Sequence, residues 1–170
     1  LNNGLSDLSG NGYDLTKHSS IVWIPQASKE PITDFDYTFA VIGDTQTVAD
    51  RYPSKFHFIY DWIINNQSSK NIQFVMGLGD ITDKSTDNEW NVAMTHILRM
   101  KDAGIPFSLT RGNHDTVETF NANYSYSDFA SSVNGTFDET MLNTWQKFEV
   151  GKRKYIVFAL DFGPSDAVLA

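Results

Sequence analysis

Residues 72–83 read Ile-Gln-Phe-Val-Met-Gly-Leu-Gly-Asp-Ile-Thr-Asp, a mostly apolar run that ends at Gly79-Asp80. A nearly continuous apolar run bounded by glycine is typical of a strand that is buried on both faces of a parallel sheet. Residues 72–78 therefore predict a buried strand that is followed at once by an acidic loop.

The sequence on either side repeats this pattern. Residues 37–42 form a second apolar run, which ends at Gly43, and residues 106–110 predict a third strand. Apolar residues recur at helical spacing in residues 53–67 and again in residues 86–104. Alternating strands and helices over about 75 residues imply βαβ crossovers and a parallel sheet. The sequence thus predicts an α/β fold with a parallel βαβαβ half.

Local signals predict three further features. Thr86 with Glu89 three residues later predicts a capping box at the start of the second helix. After Asp115 the composition becomes polar and aromatic, which suggests a loop with a short helix. Residues 145–162 read as a β-hairpin that turns at Gly151, and Gly163 to Asp166 begins a helix.

Residues 1–34 differ from the rest, because turn-forming Asn, Asp and Gly clusters dominate them. We interpret them as a tail or as the remnant of an upstream domain, and residues 35–170 as one domain. The run from Asp7 to Gly12 resembles the opening of laminin-G-like, concanavalin-type domains. Asp7, Asn11 and Asp14 have calcium-like spacing, although loop formation explains them as well. Leu1 suggests a cut upstream, and we favour a secreted or cell-surface location.

Composition excludes several classes of function. The chain has 170 residues and a net charge of −8, which disfavours nucleic-acid backbones and anionic membranes as partners. It has no cysteine, so thiolate metal sites, disulfides and cysteine nucleophiles are excluded. The sequence contains no apolar run long enough for a membrane span and no signal peptide. It leaves the oligomeric state open.

Acidic and amide clusters follow all three predicted strands. They are Gly43 to Gln46, Gly79 to Asp83, and Gly112 to Asp115. In a parallel sheet the ligand crevice lies at the carboxyl ends of the strands, so Asp44, Asp80 and Asn113 should meet there. Neighbouring carboxylates repel unless a cation neutralises them. A pair of metal ions about 3.5–4 Å apart can hold a phosphoryl group and make hydroxide near neutral pH.

These three clusters resemble the signature of the calcineurin-like metallophosphoesterases, which is Asp-x-His, Gly-Asp-x-x-Asp and Gly-Asn-His-Asp after successive strands. The resemblance covers about residues 37–170. It implies a layered two-sheet sandwich flanked by helices, two divalent or trivalent metal ions of the Fe, Zn or Mn type, and hydrolysis of a phosphate ester. The resemblance does not identify the metal ions or the ester.

The resemblance also implies roles for individual residues. Asp44 would ligate the first metal, Asp80 would bridge both metals, and Asn113 would ligate the second. His114 would not bind metal; it would protonate the leaving-group oxygen or stabilise charge on the phosphoryl group. Asp83 or Asp115 would orient His114. Arg111 is a candidate substrate contact, with a structural ion pair as the alternative. His57 and His96 fall in helical patterns and are expected to be ordinary helix residues.

The sequence departs from the family pattern in two ways. Gln46 stands where the family usually has a metal-binding histidine, and its carbonyl is a weaker, neutral donor. The family needs three more histidines downstream, yet no histidine follows His114. We therefore expect a C-terminally incomplete domain whose isolated 170 residues are inactive. The alternative is an inactive binding module that keeps the fold, and the sequence beyond residue 170 would discriminate the two.

Overall fold

The computed structural model describes residues 36–170, and all structural statements below concern that part of the chain. The predictions for residues 1–34, including the laminin-G-like resemblance and the calcium-like spacing, lie outside the described residues. None of the helices in residues 36–170 has the length and apolar character needed to cross a membrane. The elements are β1 (Thr38–Ile42), α1 (Gln46–Arg51), α2 (His57–Asn66), β2 (Ile72–Gly77), α3 (Asp87–Asp102), β3 (Phe107–Leu109), α4 (Val117–Asn123), α5 (Tyr126–Phe129), β4 (Gly135–Thr136), β5 (Thr144–Val150), β6 (Arg153–Ala159) and α6 (Asp166–Leu169).

The first sheet has the strand order β1-β2-β3, with both pairs parallel. Its register aligns Ile42 with Gly77, and Gly77 with Leu109. The three strands therefore end side by side, and the loops that follow them leave from one edge of the sheet. This arrangement confirms the predicted α/β class and the parallel βαβαβ half.

Helices α2 and α3 pack on this sheet and on each other. Their apolar faces bury Tyr60, Ile63, Trp90 and Ile97, which join Val75 of β2 in one core. The helix predicted over residues 53–67 is shorter than expected: a 3₁₀ turn occupies Pro53–Lys55, and α2 begins at His57.

Helix α1 was not predicted from the sequence. It has six residues, of which Ala49 is buried. A segment of that length makes fewer than two turns, so it carries no helical periodicity that could be recognised.

Strands β4, β5 and β6 form a second, antiparallel sheet, which contains the predicted hairpin. Aromatic rings join the two sheets: the Phe74 ring stacks on Phe148 at 4.9 Å, and Phe39 meets Phe148 and Tyr155 edge to face at 5.7 and 5.2 Å. The Gln146 side chain also donates to the Phe107 carbonyl at 2.9 Å. The domain is thus layered, with helices on one face of the parallel sheet and the second sheet on the other.

The start of α3 carries the predicted capping box. Thr86 Oγ1 accepts from Glu89 N, and the Glu89 carboxylate accepts from Thr86 N at 3.0 Å. Glu89 is 4% exposed and accepts also from Asp83 N at 2.8 Å and Lys84 N at 3.2 Å. Burial raises the pKa of the Glu89 carboxyl, but these hydrogen bonds outweigh it and hold the pKa below its usual value. Glu89 therefore fixes the loop that follows β2.

Replacing Glu89 with glutamine should lower the free energy of unfolding at pH 7 by about 1–3 kcal/mol. The glutamine NH₂ group is a donor and would face backbone N–H groups that now donate to the Glu89 carboxylate. Since the folded pKa is depressed, this stabilisation is present above the unfolded pKa of about 4.3 and is lost as pH falls through the folded pKa. Urea denaturation at pH 7 and at a series of lower pH values measures both effects. Asp87→Asn, an exposed change in the same helical turn, should cost less than about 1 kcal/mol, because it removes only one favourable charge at the helix N-terminus. A Glu89→Gln deficit that stays the same at every pH would contradict this account.

Candidate metal centre

The loop after β1 is bound to the loop after β2 by backbone hydrogen bonds. Thr45 N and Gln46 N both donate to the Asp80 carbonyl, at 3.1 and 2.9 Å. The buried Thr45 hydroxyl donates to the Ile81 carbonyl at 3.1 Å. Because Thr45 and Gln46 directly follow Asp44, these bonds hold the backbone of the first loop beside the second loop, and the Asp44 side chain is exposed.

Asp80 lies between the two outer loops. Its backbone is left-handed, with φ of +46°, which places the residue in a sharp turn after Gly79. Asp80 Oδ1 accepts from His114 N at 3.0 Å. A Cβ atom at Gly112 would come within 2.0 Å of Asp80 Oδ1, and one at Gly79 within 2.7 Å of Gly112 N. Only glycine permits this approach, so both glycines bring the second and third loops together around Asp80.

Asp115 is completely buried and joins the second loop to the third. Its Oδ1 accepts from Thr82 N at 2.9 Å and from the Thr82 hydroxyl at 2.7 Å. Its Oδ2 accepts from Ile81 N and from Gly112 N, both at 3.1 Å. The Asp115 carboxylate therefore hydrogen-bonds to the second and third loops and not to the His114 ring.

The His114 ring contacts Asp83, the other residue predicted to orient it. Nδ1 lies 2.8 Å from the Asp83 carbonyl, which can only accept, so this nitrogen carries a proton. The Asp83 carboxylate is 3.6 Å away. The bond to the Asp83 carbonyl raises the pKa of the imidazole, partial burial lowers it, and the Asp80, Asp83 and Asp115 charges raise it further. The net effect is a raised pKa for a ring whose position is fixed.

Arg111 forms a structural ion pair, which was the alternative to a substrate contact. Its Nε donates to Asp161 Oδ1 at 2.6 Å, and both side chains are largely buried. Its terminal nitrogens donate to the carbonyls of Gly112, Asp115 and Phe162 at 3.2, 2.9 and 3.1 Å. Arg111 therefore ties the third loop to the segment after β6, and these bonds engage the same nitrogens that a phosphate would need.

The donors that could hold metal ions are mainly oxygen atoms. Asp44 and Asn113 are exposed at the tips of their loops, and Asp80 is half-buried between them. Gln46 Oε1 is buried and has no hydrogen-bond partner, so it is an acceptor that a cation could satisfy. Within residues 36–170 no three His, Cys, Asp or Glu side chains form a group that could hold a metal. The described residues thus offer two carboxylates and two amides as possible oxygen ligands, without a complete group of metal ligands.

Sequence reasoning missed several residues that position this site. Thr45 and Thr82 bond across the loops with buried hydroxyls, and Glu89 was recognised only as a helix cap. Asp161, the partner of Arg111, lies 50 residues away along the chain. The apolar and acidic patterns carry no signal for such long-range polar contacts.

Comparison with known proteins identifies the family. A family model described as calcineurin-like phosphoesterase matches residues 37–165, a range that includes all three strand-end clusters. The uncharacterized protein YvnB of Bacillus subtilis is 37% identical over 103 residues, which are 60% of this chain and 8% of that relative. The chain thus spans less than a tenth of the length of that relative. Because the family model matches most of the chain, this chain belongs to the calcineurin-like phosphoesterase family.

Proposed function

We propose that this domain serves metal-dependent hydrolysis of a phosphate ester in the natural protein that contains it. The observation that carries the proposal is the gathering of three strand-end loops around Asp80, through its carbonyl and its carboxylate. Asp44 and Gln46 are the proposed donors on one side of Asp80, and Asn113 is the proposed donor on the other.

The residues at this edge would have different roles in the reaction. Metal ions held here would supply positive charge against the phosphoryl group and make hydroxide available near neutral pH. Asp80, between the two outer loops, would hold the spacing of two ions. Asp83 holds Nδ1 of His114, which leaves Nε2 as the nitrogen that can give a proton to the leaving-group oxygen. Asp115 keeps the second and third loops in place.

A binding module without catalysis is the second candidate function. Two observations favour it: Gln46 replaces a histidine of the family pattern, and the described residues hold no group of three His, Cys, Asp or Glu side chains suited to a metal. A protein of this kind would bind phosphate esters or phosphate without turnover.

Removal of metal discriminates the two functions. In the natural protein, treatment with a chelator should reduce hydrolysis of 4-nitrophenyl phosphate or its bis-ester to background, and Mn²⁺, Zn²⁺ or Fe²⁺ should restore it. Absorbance of released 4-nitrophenolate measures both steps. Turnover that survives complete removal of metal, checked by elemental analysis, would refute the proposal, and binding without turnover would favour the module.

The isolated 170-residue chain should behave differently. We expect it to retain little metal after dialysis and to show negligible turnover, because such sites normally use three or four protein ligands per ion. Retention of two metal ions per chain by elemental analysis would contradict this expectation.

A further inference from the structure

The inference concerns Glu89 and rests on the proposed function. The Asp83 carbonyl, which accepts from His114 Nδ1 at 2.8 Å, belongs to the peptide group that joins Asp83 to Lys84. The nitrogen of the same peptide group, Lys84 N, donates to the two Glu89 carboxylate oxygens at 3.2 and 3.3 Å. One peptide group therefore lies between the Glu89 carboxylate and the His114 ring, with hydrogen bonds on both sides.

The Glu89 carboxylate is itself held in place by several donors. It accepts from Asp83 N at 2.8 Å, from Thr86 N at 3.0 Å and from the Thr86 hydroxyl at 2.7 Å. Burial raises the pKa of the Glu89 carboxyl, but these hydrogen bonds bring the pKa below its usual value, so the group is charged at neutral pH. A buried, charged acceptor thus fixes the peptide group whose carbonyl contacts His114.

The Asp83 side chain does not hold the His114 ring in this way. One oxygen of its carboxylate lies 3.6 Å from His114 Nδ1, beyond hydrogen-bond distance, and the other lies 3.5 Å from Lys84 Nζ. Hydrogen bonds in a chain polarise one another, so a carboxylate that binds the N–H of a peptide group makes its carbonyl a stronger acceptor. We propose that Glu89 is a positioning residue, which acts through this peptide group to keep the proton on His114 Nδ1 and to leave Nε2 free for the leaving-group oxygen.

Nuclear magnetic resonance of the 170-residue chain tests this proposal without metal or substrate. Long-range proton–nitrogen correlation in alkaline buffer, where the imidazole is neutral, distinguishes the Nδ1–H form from the Nε2–H form, and His114→Ala assigns the signal. Glu89→Ala should shift the ratio of the two forms toward Nε2–H by about 5-fold, a factor that one ordinary hydrogen bond supports. Glu89→Gln keeps an oxygen that can accept from Lys84 N, so it should shift the ratio less.

Kinetics of the natural protein give a readout that a loss of stability would not change. Phenyl phosphate has a leaving group that needs a proton more than that of 4-nitrophenyl phosphate does. Glu89→Ala should lower kcat for phenyl phosphate by about 10–100-fold with KM unchanged, and kcat for 4-nitrophenyl phosphate by less than about 2-fold. In a His114→Ala background, Glu89→Ala should lower kcat for phenyl phosphate no further, because the two residues act as one unit.

Thr86→Val is the matched control for the role of Glu89 in the helix cap. It removes the hydroxyl that caps α3 but leaves the Glu89 oxygen that accepts from Asp83 N and Lys84 N. It should therefore lower stability without changing the ratio of the two imidazole forms or the dependence of kcat on the leaving group. Circular dichroism checks the folding of each variant, and Glu89→Gln replaces Glu89→Ala in both tests if the alanine variant does not fold.

The failure of this inference can be told apart from the failure of the proposed function. The inference is overturned if wild-type His114 carries its proton on Nε2, if the Glu89 variants keep the wild-type ratio, or if they lower kcat equally for both esters. Glu89 is then a helix cap alone, and hydrolysis by the wild type still supports the proposed function. If the wild type hydrolyses neither ester with Mn²⁺, Zn²⁺ or Fe²⁺ present, the proposed function fails, and the ratio measured in the 170-residue chain still decides whether Glu89 positions His114.

Discussion

His114→Ala should lower the turnover of a phosphate ester by about 10²–10⁴-fold in the natural protein, while its metal content stays unchanged. General acid–base assistance is typically worth this factor, which corresponds to roughly 3–5 kcal/mol of barrier. The metal content should persist because the His114 ring is held by Asp83, through a 2.8 Å contact to its carbonyl, and is not one of the proposed ligands. Steady-state kinetics and elemental analysis of the same preparation measure both quantities.

The comparison with Asp80→Ala distinguishes a residue that takes part in catalysis from a residue that binds metal. Asp80→Ala should lose metal and activity together, because it removes the carboxylate between the outer loops. His96→Ala is the matched control for His114, since His96 lies within α3 and contacts Arg99 and aromatic rings. If His114→Ala loses its metals as Asp80→Ala does, His114 is a ligand. If it keeps full activity, the leaving group needs no acid, and an ester with a good leaving group becomes the favoured substrate.

Asp115→Ala should lower the free energy of unfolding of the domain by about 3–5 kcal/mol. The change removes a fully buried acceptor from the amides of Ile81, Thr82 and Gly112 and from the Thr82 hydroxyl. Buried donors that lose a charged acceptor cost about 1–3 kcal/mol each, and local rearrangement recovers part of that cost. Urea denaturation followed by circular dichroism gives the free energy.

Asp102→Ala is the control for Asp115. Asp102 is exposed at the last residue of α3, where a negative charge opposes the helix dipole, so its removal should leave stability unchanged or slightly raised. A loss below about 1 kcal/mol for Asp115→Ala would mean that the two loops hold together without this carboxylate.

The sequence predicted the elements that carry a local pattern. The apolar runs of β1, β2 and β3 each end before a glycine-bearing polar cluster, which predicted both the parallel sheet and the edge where these clusters meet. The Thr86–Glu89 capping box was predicted because its two residues lie three positions apart. The roles of Asp44, Asp80, Asn113 and His114 in metal binding and catalysis stay predictions.

Contacts between distant segments could not be predicted. Asp115 accepts from amides more than 30 positions earlier in the chain. The sequence cannot show which backbone amides donate, because they do not depend on the residue type. The sequence also did not decide between a phosphate and Asp161 as the partner of Arg111, because arginine binds a phosphate and a carboxylate equally well. Two local features were missed because they are short: α1 has six residues and β4 has two.

The bonds that shape the strand-end edge run largely through backbone groups and the buried carboxylates of Asp115 and Glu89, while Asp44 and Asn113 stand exposed at the loop tips. Substitutions of Asp44 or Asn113 should therefore leave the hydrogen bonds between the loops intact. The residues at the loop tips can therefore change one at a time without refolding of the layers beneath them.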